Sequence, residues 1–336
     1  MLYYEQKKTI MKTKNYIPVL IILMLIFFCA CEKDSIILQD NTNEIENRVK
    51  KPKPPPEPEP EAIITIQDLG TLEGMASVAY GINIVDDDIW VVGYSHIPAG
   101  SGAMTHPFLW KQSTGIVEDI GSELEGFWIE ARDVNSSGSI VGSSQHDETG
   151  YTEALLWQED GTIVNLGDLT NSSCQESEAK AINSNGIIAG YATPESTCKN
   201  HAWTWELPDI LIDLGTLDNE AASALSINNE GAIAGYVRVD PIQLTDTRAI
   251  WSITGLAADL EILSGLEDIY SEATDINDIN QIVGNMGLWN DPRPFLWENG
   301  SYFELPTLGG WANAWAISEE GYVTGESKLK KQGGSN

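Results

Sequence analysis

The stretch Ala131–Gly142, A-R-D-V-N-S-S-G-S-I-V-G, is the unit from which most of this chain is built. Each copy has Ala, then three residues, then Asn or Ser, and finally an apolar run that ends in Gly. The copies follow one another about every 47 residues, a period typical of repeat architectures. The other copies are Ala179–Gly190, Ala224–Gly235 and Ala273–Gly284, with looser ones at Ala79–Gly93 and Ala314–Gly325.

The middle of each copy predicts the turn of a β-hairpin. Asn at the first turn position can bond its own backbone, and Gly at the fourth accepts a positive φ. Asn280 replaces that Gly in one copy, and the first copy, Asn83–Asp88, is longer and lacks it. A turn-forming role explains the Asn or Ser in every copy. The alternative is that these side chains bind a ligand. The anchors are Asn83, Asn135, Asn183, Asn228, Asn277 and Ser318.

Small residues mark one face of the strand before each turn. Ala lies four residues before every anchor, and a small or short residue lies two before it, such as Gly81, Asp133 or Ala181. Side chains alternate across a strand, so these share a face. We expect a crowded contact between sheets at that face, near a common axis.

The remainder of each repeat supplies two further strands. A short strand ends in Trp110, Trp157, Trp205, Trp251 or Trp297, and a fourth strand resembles Thr162–Gly167, T-I-V-N-L-G. Four short antiparallel strands per repeat are typical of a β-propeller blade. The regular Trp positions favour packing between blades, with a sugar platform as the alternative.

The ordered recurrence of D-L-G-T-L, A-x-x-I-N-x-x-G-x-I-x-G and F-L-W resembles the HAF family of bacterial extracellular repeats, over residues 66–325. The resemblance implies export and a repeated β architecture. It brings no catalytic residues with it.

The sequence thus predicts an all-β fold, a β-propeller of about six four-stranded blades. The last hairpin, Ala314–Gly325, is followed by no Trp strand and no fourth strand. Ile63–Gly70, I-I-T-I-Q-D-L-G, reads as a fourth strand without a blade of its own. We expect it to close the last blade, because closure hides exposed strand edges. Five blades are then complete, and the sixth is either short of a strand or cut off with the chain.

An export signal precedes this domain. Lys12 and Lys14 are followed by an apolar segment, Ile17–Phe28, that is too short to span a bilayer comfortably. Translation begins at Met1 or Met11. Phe28-Cys29-Ala30-Cys31 resembles a lipobox, which makes Cys31 the lipid attachment residue; an ordinary signal peptide is the alternative.

We therefore divide the chain into a signal peptide (1–31), a Pro-rich tether (32–61) and a repeat domain (62–336). The protein is expected to be an outer-membrane lipoprotein on the cell surface or the periplasmic face.

The charge balance excludes some partners. With 50 acidic and 19 basic residues the net charge is −31, which repels nucleic acid. No metal-ligand spacing or cofactor motif is present in the sequence, and we expect a monomer with no cofactor. Cys174 and Cys198 fall near the open end of one hairpin, and in an oxidising compartment they are predicted to form a disulfide.

A binding site is predicted where the loops that enter the hairpins meet. Aromatic rings beside carboxylates and amides suit a glycan, although a structural and solvated role is the alternative. The candidates are Trp128, Glu130, Glu178, Tyr270, Glu272, Trp311 and Asn313. The sequence favours a non-catalytic module that binds a glycan or a protein. An exported polysaccharide lyase or hydrolase is the second hypothesis, and a passive scaffold is the third.

Overall fold

The computed structural model describes residues 11–12, 67–72, 74, 76–99, 102–124, 126–145, 150–167, 176–194, 198–206, 210–217, 220–239, 247–252, 260–288 and 290–329. The tether, Cys31 and Cys174 lie outside the described residues. One compact unit comprises Met1–Thr13 and Leu69–Asn336, and a second comprises Lys14–Asp68. All strands below belong to the first unit. No helix among the described residues is long and apolar enough to cross a membrane.

The described strands are grouped here into six antiparallel sheets. Sheet 1 contains β2 (Ser77–Val85), β3 (Asp88–Ala99), β4 (Gly102–Lys111) and β5 (Val117–Asp119). Sheet 2 contains β6 (Trp128–Val134), β7 (Ile140–Gln145), β8 (Thr152–Trp157) and β9 (Ile163–Gly167). Sheet 3 contains β10 (Ser177–Ile182), β11 (Ile188–Ala192), β12 (His201–Glu206) and β13 (Ile210–Gly215).

The next two sheets repeat the same order, and the last is smaller. Sheet 4 contains β14 (Ala222–Ile227), β15 (Ile233–Arg238), β16 (Thr247–Ser252) and β17 (Glu261–Ile262). Sheet 5 contains β18 (Ser271–Ile276), β19 (Ile282–Leu288), β20 (Asp291–Glu298) and β21 (Ser301–Glu304). Sheet 6 contains β22 (Gly309–Ile317), β23 (Tyr322–Leu329) and β1 (Met11–Lys12).

Strand order follows chain order in each of sheets 1 to 5, so each repeat folds as a meander. Sheets 1 and 2 are also joined by one parallel pair, Thr105 with Trp128. The all-β prediction is confirmed, and the repeated four-stranded sheets support the propeller prediction.

Apolar side chains fill the space between consecutive sheets. The cluster between sheets 2 and 3, for example, contains Val141 from β7 and Ile182 from β10. In these clusters the residue before the anchor of one repeat shares the core with a residue of the second strand of the preceding sheet, and only Ile82, before the first anchor, belongs to none of them. The corresponding pairs are Val92 with Val134, Ala189 with Ile227, Ala234 with Ile276, and Val283 with Ile317.

The Trp residues belong to this packing. Trp157 is buried in the cluster between sheets 1 and 2, and its Nε1 donates to the Ile120 carbonyl at 2.9 Å. Trp110, Trp205 and Trp297 are likewise buried. This supports the packing role over the sugar-platform alternative.

The anchor turns have the predicted conformation, and their Asn side chains also connect neighbouring repeats. Gly138, Gly186, Gly231 and Gly321 have positive φ, as does Asn280, which replaces Gly. In addition, Asn183 Nδ2 donates to the carbonyl of Asn228 in the next repeat at 2.9 Å, and Asn228 donates to Asn277 at 3.0 Å. Each anchor amide therefore links its repeat to the following one.

Every first strand carries a β-bulge that the sequence did not predict. The bulge residue follows the recurring Ala, as Arg132 does between Ala131 and Asp133. It breaks the simple alternation of faces that we assumed, and bulges commonly re-aim side chains near functional sites. The six bulge residues are Tyr80, Arg132, Lys180, Leu225, Thr274 and Trp315.

The prediction for the two ends of the repeat domain was wrong in detail. Met11–Lys12 pairs with β23 in sheet 6, and the described part of the predicted strand, residues 67–70, does not. Gln67–Gly70 is not a strand, and residues 63–66 lie outside the described range. Leu69 and Leu72 instead pack against Val91, Phe108 and Trp110 of sheet 1.

Sheets 1 and 6 are not closed on each other in the described chain. Ile82 of β2 is 67 % exposed, although its counterparts in the other repeats are buried. Ala316 of β22 and Thr324 of β23, on the last sheet, are exposed as well. Each end of the series therefore keeps one uncovered sheet face.

Candidate functional site

A group of charged and tyrosine side chains runs along the first two strands of successive sheets. We call it the first-strand cluster. Most of its members lie one residue before or after the recurring Ala, or one to three residues after the recurring Gly within the second strand, and Tyr270 lies three residues before Ala273. They are Glu130, Arg132, Glu178, Lys180, Tyr191, Tyr236, Arg238, Tyr270 and Glu272.

Glycine in the second strand allows a close approach to the backbone of the residues that carry these carboxylates. A Cβ on Gly190 would lie 1.9 Å from the Glu178 carbonyl oxygen, and one on Gly284 would lie 2.0 Å from that of Glu272. Only a residue without a side chain permits this approach at the bulge. The recurring Gly therefore allows the first two strands of a sheet to approach closely at the position where the first strand carries the predicted acidic residue.

Arg132 joins sheets 2 and 3 in this cluster. Its Nη2 lies 2.7 Å from Glu130 Oε2 and 3.9 Å from Glu178 Oε1. Its guanidinium also lies over the Tyr80 ring of sheet 1, 4.4 Å from the ring centroid. Two of the predicted carboxylates are therefore connected through a basic residue that sequence reasoning overlooked.

Lys180 and Tyr191 surround Glu178 within sheet 3. Lys180 Nζ forms an ion pair with Glu178 Oε2 and lies 5.5 Å from the centroid of the Tyr191 ring. Burial lowers the pKa of Lys180, and Glu178 opposes that shift. Burial together with Glu178 and Glu176 raises the pKa of Tyr191 well above its ordinary range, so its hydroxyl stays protonated.

Tyr236 lies between the acidic residues of sheets 3 and 5. Burial raises its pKa, as do the charges of Glu272 and Glu178, while Arg238 lowers it. Tyr270 donates to Glu272 Oε1 at 3.4 Å. Burial raises the pKa of Glu272, although Tyr270 and Thr247 stabilise its charged form. Because its pKa is raised, Glu272 binds a proton more readily than an exposed Glu.

The predicted residues divide into those that the structure brings together and those that it does not. Glu130, Glu178, Tyr270 and Glu272 belong to the first-strand cluster. Trp128 begins β6 and is 45 % exposed, with no described contact to these carboxylates. Trp311 is partly buried in β22. Asn313 donates to Glu326 Oε1 at 2.9 Å within sheet 6.

Arg132, Lys180, Tyr191, Tyr236 and Arg238 were missed from the sequence. The repeat alignment contained a signal for two of them, since the column after the recurring Gly contains Tyr94, Tyr191 and Tyr236. The bulge that turns the residue after Ala towards its neighbours could not be read from that alignment.

Two further carboxylates lie on the small-residue face. Asp133 accepts backbone N–H groups from Ile182 at 2.9 Å and Val134 at 2.8 Å, and Asp275 accepts from Ile317 at 2.8 Å. Both therefore bind the following repeat. Although Asp133 keeps some exposed surface, the protein around its carboxylate desolvates it and raises its pKa to about 7.

Within the described ranges, no group of three or more His, Cys, Asp or Glu side chains is arranged to hold a metal ion. Cys198 is disulfide-bonded. Its predicted partner Cys174 and the lipid-attachment residue Cys31 lie outside the described ranges, so both assignments stay predictions.

Comparison with known proteins identifies no family and no relative by sequence. No protein-family model matches the chain, and no curated protein matches it. Membership of the HAF family therefore stays a prediction.

Several solved structures resemble the fold. The β-propeller domain of the Trilobed protease from Pyrococcus furiosus is 10 % identical, with 75 % of this chain and 90 % of that chain covered and a TM-score of 0.39. A regucalcin described as calcium-binding, from Agrobacterium tumefaciens, is 10 % identical, with 78 % and 94 % covered and a TM-score of 0.41. A gluconolactonase from Xanthomonas campestris is 11 % identical, with 75 % and 95 % covered and a TM-score of 0.41. At these values the likenesses carry no argument about activity.

Proposed function

We propose that this protein is an exported, lipid-anchored module that binds a glycan without chemically changing it. The observation that carries the proposal is the first-strand cluster, where Glu130, Glu178 and Glu272 alternate with basic residues and tyrosines. Carboxylates accept hydrogen bonds from sugar hydroxyls, the basic groups and tyrosine hydroxyls donate them, and aromatic faces stack on apolar sugar faces. A protein ligand is the other partner class that such a surface serves.

The proposed site requires the repeats to surround one centre. We infer that sheet 6 packs against sheet 1, with Thr324 against Ile82. Thr324 is the counterpart of Val141, and Ile82 is the counterpart of Ile182, which pack together between sheets 2 and 3. Burying Ile82 would remove an exposed apolar side chain from water, worth roughly 1.5–3 kcal/mol. About six blades would then enclose the first-strand cluster.

The test of binding is a glycan array followed by titration calorimetry on the hits. Glu178→Gln and Glu272→Gln are expected to weaken binding about tenfold or more, because each removes a charged acceptor. Glu304→Gln is the matched control, since Glu304 is exposed on β21 and bonds Arg293 away from the cluster. Equal losses in all three variants would contradict the proposed location, and an array without hits would contradict glycan binding.

An exported polysaccharide lyase or hydrolase is the second candidate. It is favoured by the Glu272 carboxyl beside the Tyr270 hydroxyl, since burial raises the pKa of that carboxyl and a raised pKa is a feature of carboxyls that act as general acids. The array hits should therefore be incubated with the protein and assayed for new reducing ends or unsaturated products. Product formation that Glu272→Gln abolishes would replace the binding module with an enzyme.

Lipid attachment at Cys31 is the proposed route to the outer membrane, and the cleavage that precedes it would remove Met11–Lys12, so that sheet 6 of the anchored protein would lack β1. Ala30 is the small residue that cleavage before Cys31 requires, and stable anchoring takes two or more acyl chains. Metabolic labelling with a fatty acid is expected to mark the wild-type protein and to leave Cys31→Ser unlabelled. Equal labelling of both proteins, or none of either, would overturn the anchor.

A further inference from the structure

The Trp of the fourth repeat is displaced by one residue from the position that its counterparts occupy. In repeats 2, 3 and 5 the Trp of the third strand pairs with the first residue of the second strand, as Trp297 does with Ile282. In the fourth repeat Ser252 takes that place, and Trp251 pairs with Ala234 instead. Adjacent residues of a strand lie on opposite faces of the sheet, so Trp251 is turned to the other face.

This displacement brings two indole rings together between sheets 4 and 5. The counterpart of Trp251 in sheet 2 is Leu156, which packs against sheet 3, so Trp251 faces the following sheet. Trp297 keeps the usual position and faces the preceding sheet. The two ring centroids are 4.9 Å apart, and the ring planes are tilted by 55°. Trp297 is buried, whereas Trp251 keeps part of its surface exposed.

A cavity opens beside the two rings. Its volume is about 420 Å³, which is within the usual range for sites that bind small molecules. Besides Trp251 and Trp297, its lining includes Ile279, Glu261 and Asn299. Ile279 is 66 % exposed, and Glu261 and Asn299 are exposed as well. Apolar and aromatic surface beside a few polar groups is the composition expected of a ligand site.

The cavity lies at the other end of the strands from the first-strand cluster. Glu272 of that cluster is the second residue of β18, whereas Ile279 lies in the turn after β18 ends at Ile276. At about 3.3 Å per residue, the length of β18 between Glu272 and Ile276 is roughly 13 Å. The two places therefore offer separate surfaces to a ligand.

We propose that this cavity is a second glycan site, which binds a neutral oligosaccharide of β-linked, glucose-configured units. All ring substituents of such a unit are equatorial, so both ring faces present C–H groups that can stack on the Trp251 indole and contact Ile279. Glu261 accepts hydrogen bonds from sugar hydroxyls, and the Asn299 amide both donates and accepts them. The Glu261 carboxylate and the net charge of −31 oppose an acidic sugar. This site adds to the proposed function and does not depend on the first-strand cluster.

Two probes that differ in one group of each sugar test the ligand class. One is cellotetraose, a β-1,4-linked tetramer of glucose, and the other is the same tetramer with each C6 oxidised to a carboxylate. In titration calorimetry the full-length protein is expected to bind cellotetraose at least about tenfold more tightly than the oxidised tetramer, because like charges repel. Equal binding of the two probes, or no binding of either, would overturn the proposed ligand class.

The indole N–H signals in NMR spectra locate the bound probe. The signals of Trp251 and Trp297 should shift as cellotetraose is added, and Trp251→Phe assigns the first of them by removing it. The Trp157 signal should not shift, because its Nε1 donates to the Ile120 carbonyl within the core between sheets 1 and 2. If cellotetraose binds without shifting the Trp251 and Trp297 signals, this site is wrong while glycan binding stands. If no glycan on the array binds, the proposed function fails as well.

Two variants at exposed positions test the contacts without disturbing the core. Ile279→Ala and Glu261→Gln should each weaken cellotetraose binding about three- to tenfold, because one removes apolar contact and the other a charged acceptor. Ile116→Ala is the matched control for Ile279→Ala, since Ile116 is 60 % exposed and precedes β5, and it should leave the affinity unchanged. Wild-type affinity in both cavity variants would overturn the site, as would an equal loss in Ile116→Ala.

Discussion

At the scale of single residues, the most informative side chains are polar groups that the fold has drawn away from water. Asp133 is one of them, because its carboxylate accepts a hydrogen bond of 2.9 Å from the backbone N–H of Ile182 in the next repeat. Desolvation raises its pKa from 3.8 to about 7. The folded state therefore takes up a proton more readily than the unfolded state between these values, and folding stability falls as pH rises through that window.

Replacing Asp133 with Asn tests this linkage. The variant should be less stable than the wild type near pH 4, because the amide nitrogen cannot accept from both backbone N–H groups. The difference between the two proteins should then shrink between pH 4 and pH 7, by up to about 4 kcal/mol and by less where residual solvent screens the charge. Urea unfolding at several pH values measures it, with exposed Asp87→Asn as control. A constant difference across the window would show that Asp133 does not titrate there.

At the scale of elements, the repeat pattern predicted the strands well because each strand is specified by its own residues. The turn at Asn135–Gly138 and the Trp strand at Ala154–Trp157 depend on local chemistry, namely Asn and Gly at a turn and apolar alternation before Trp157. The bulge at Arg132 was not predicted, since it depends on how β6 meets β7 and not on β6 alone.

The candidate site was predicted in part for the same reason. Glu130, Glu178 and Glu272 form a column in the repeat alignment, and the structure places them in one cluster. Arg132 and Lys180 enter that cluster because they occupy the bulge. Trp311 and Asn313 share the alignment columns but belong to sheet 6, which no described sheet follows. Position in a repeat predicts a contact only where the neighbouring repeat is present.

At the scale of the whole molecule, the account depends on the first and last sheets. The amide ladder runs from Asn83 to Ser318 and links each repeat to the next. At its two ends the described chain leaves Ile82 and Thr324 exposed. The proposed single centre exists if these two faces meet, and the first-strand cluster otherwise lies along an open series of sheets.

Cross-linking across that boundary tests the central claim most directly. In the variant Ile82→Cys/Thr324→Cys, mild oxidation of the full-length protein is expected to form an intramolecular disulfide, detected as a monomer that migrates faster without reductant and confirmed by peptide mapping. The control Ile116→Cys/Thr324→Cys places its first thiol at an exposed position after β4 and should remain uncross-linked. If both pairs stay reduced, or if Ile82→Cys/Thr324→Cys gives only intermolecular dimers, the repeats do not surround one centre and the account is contradicted.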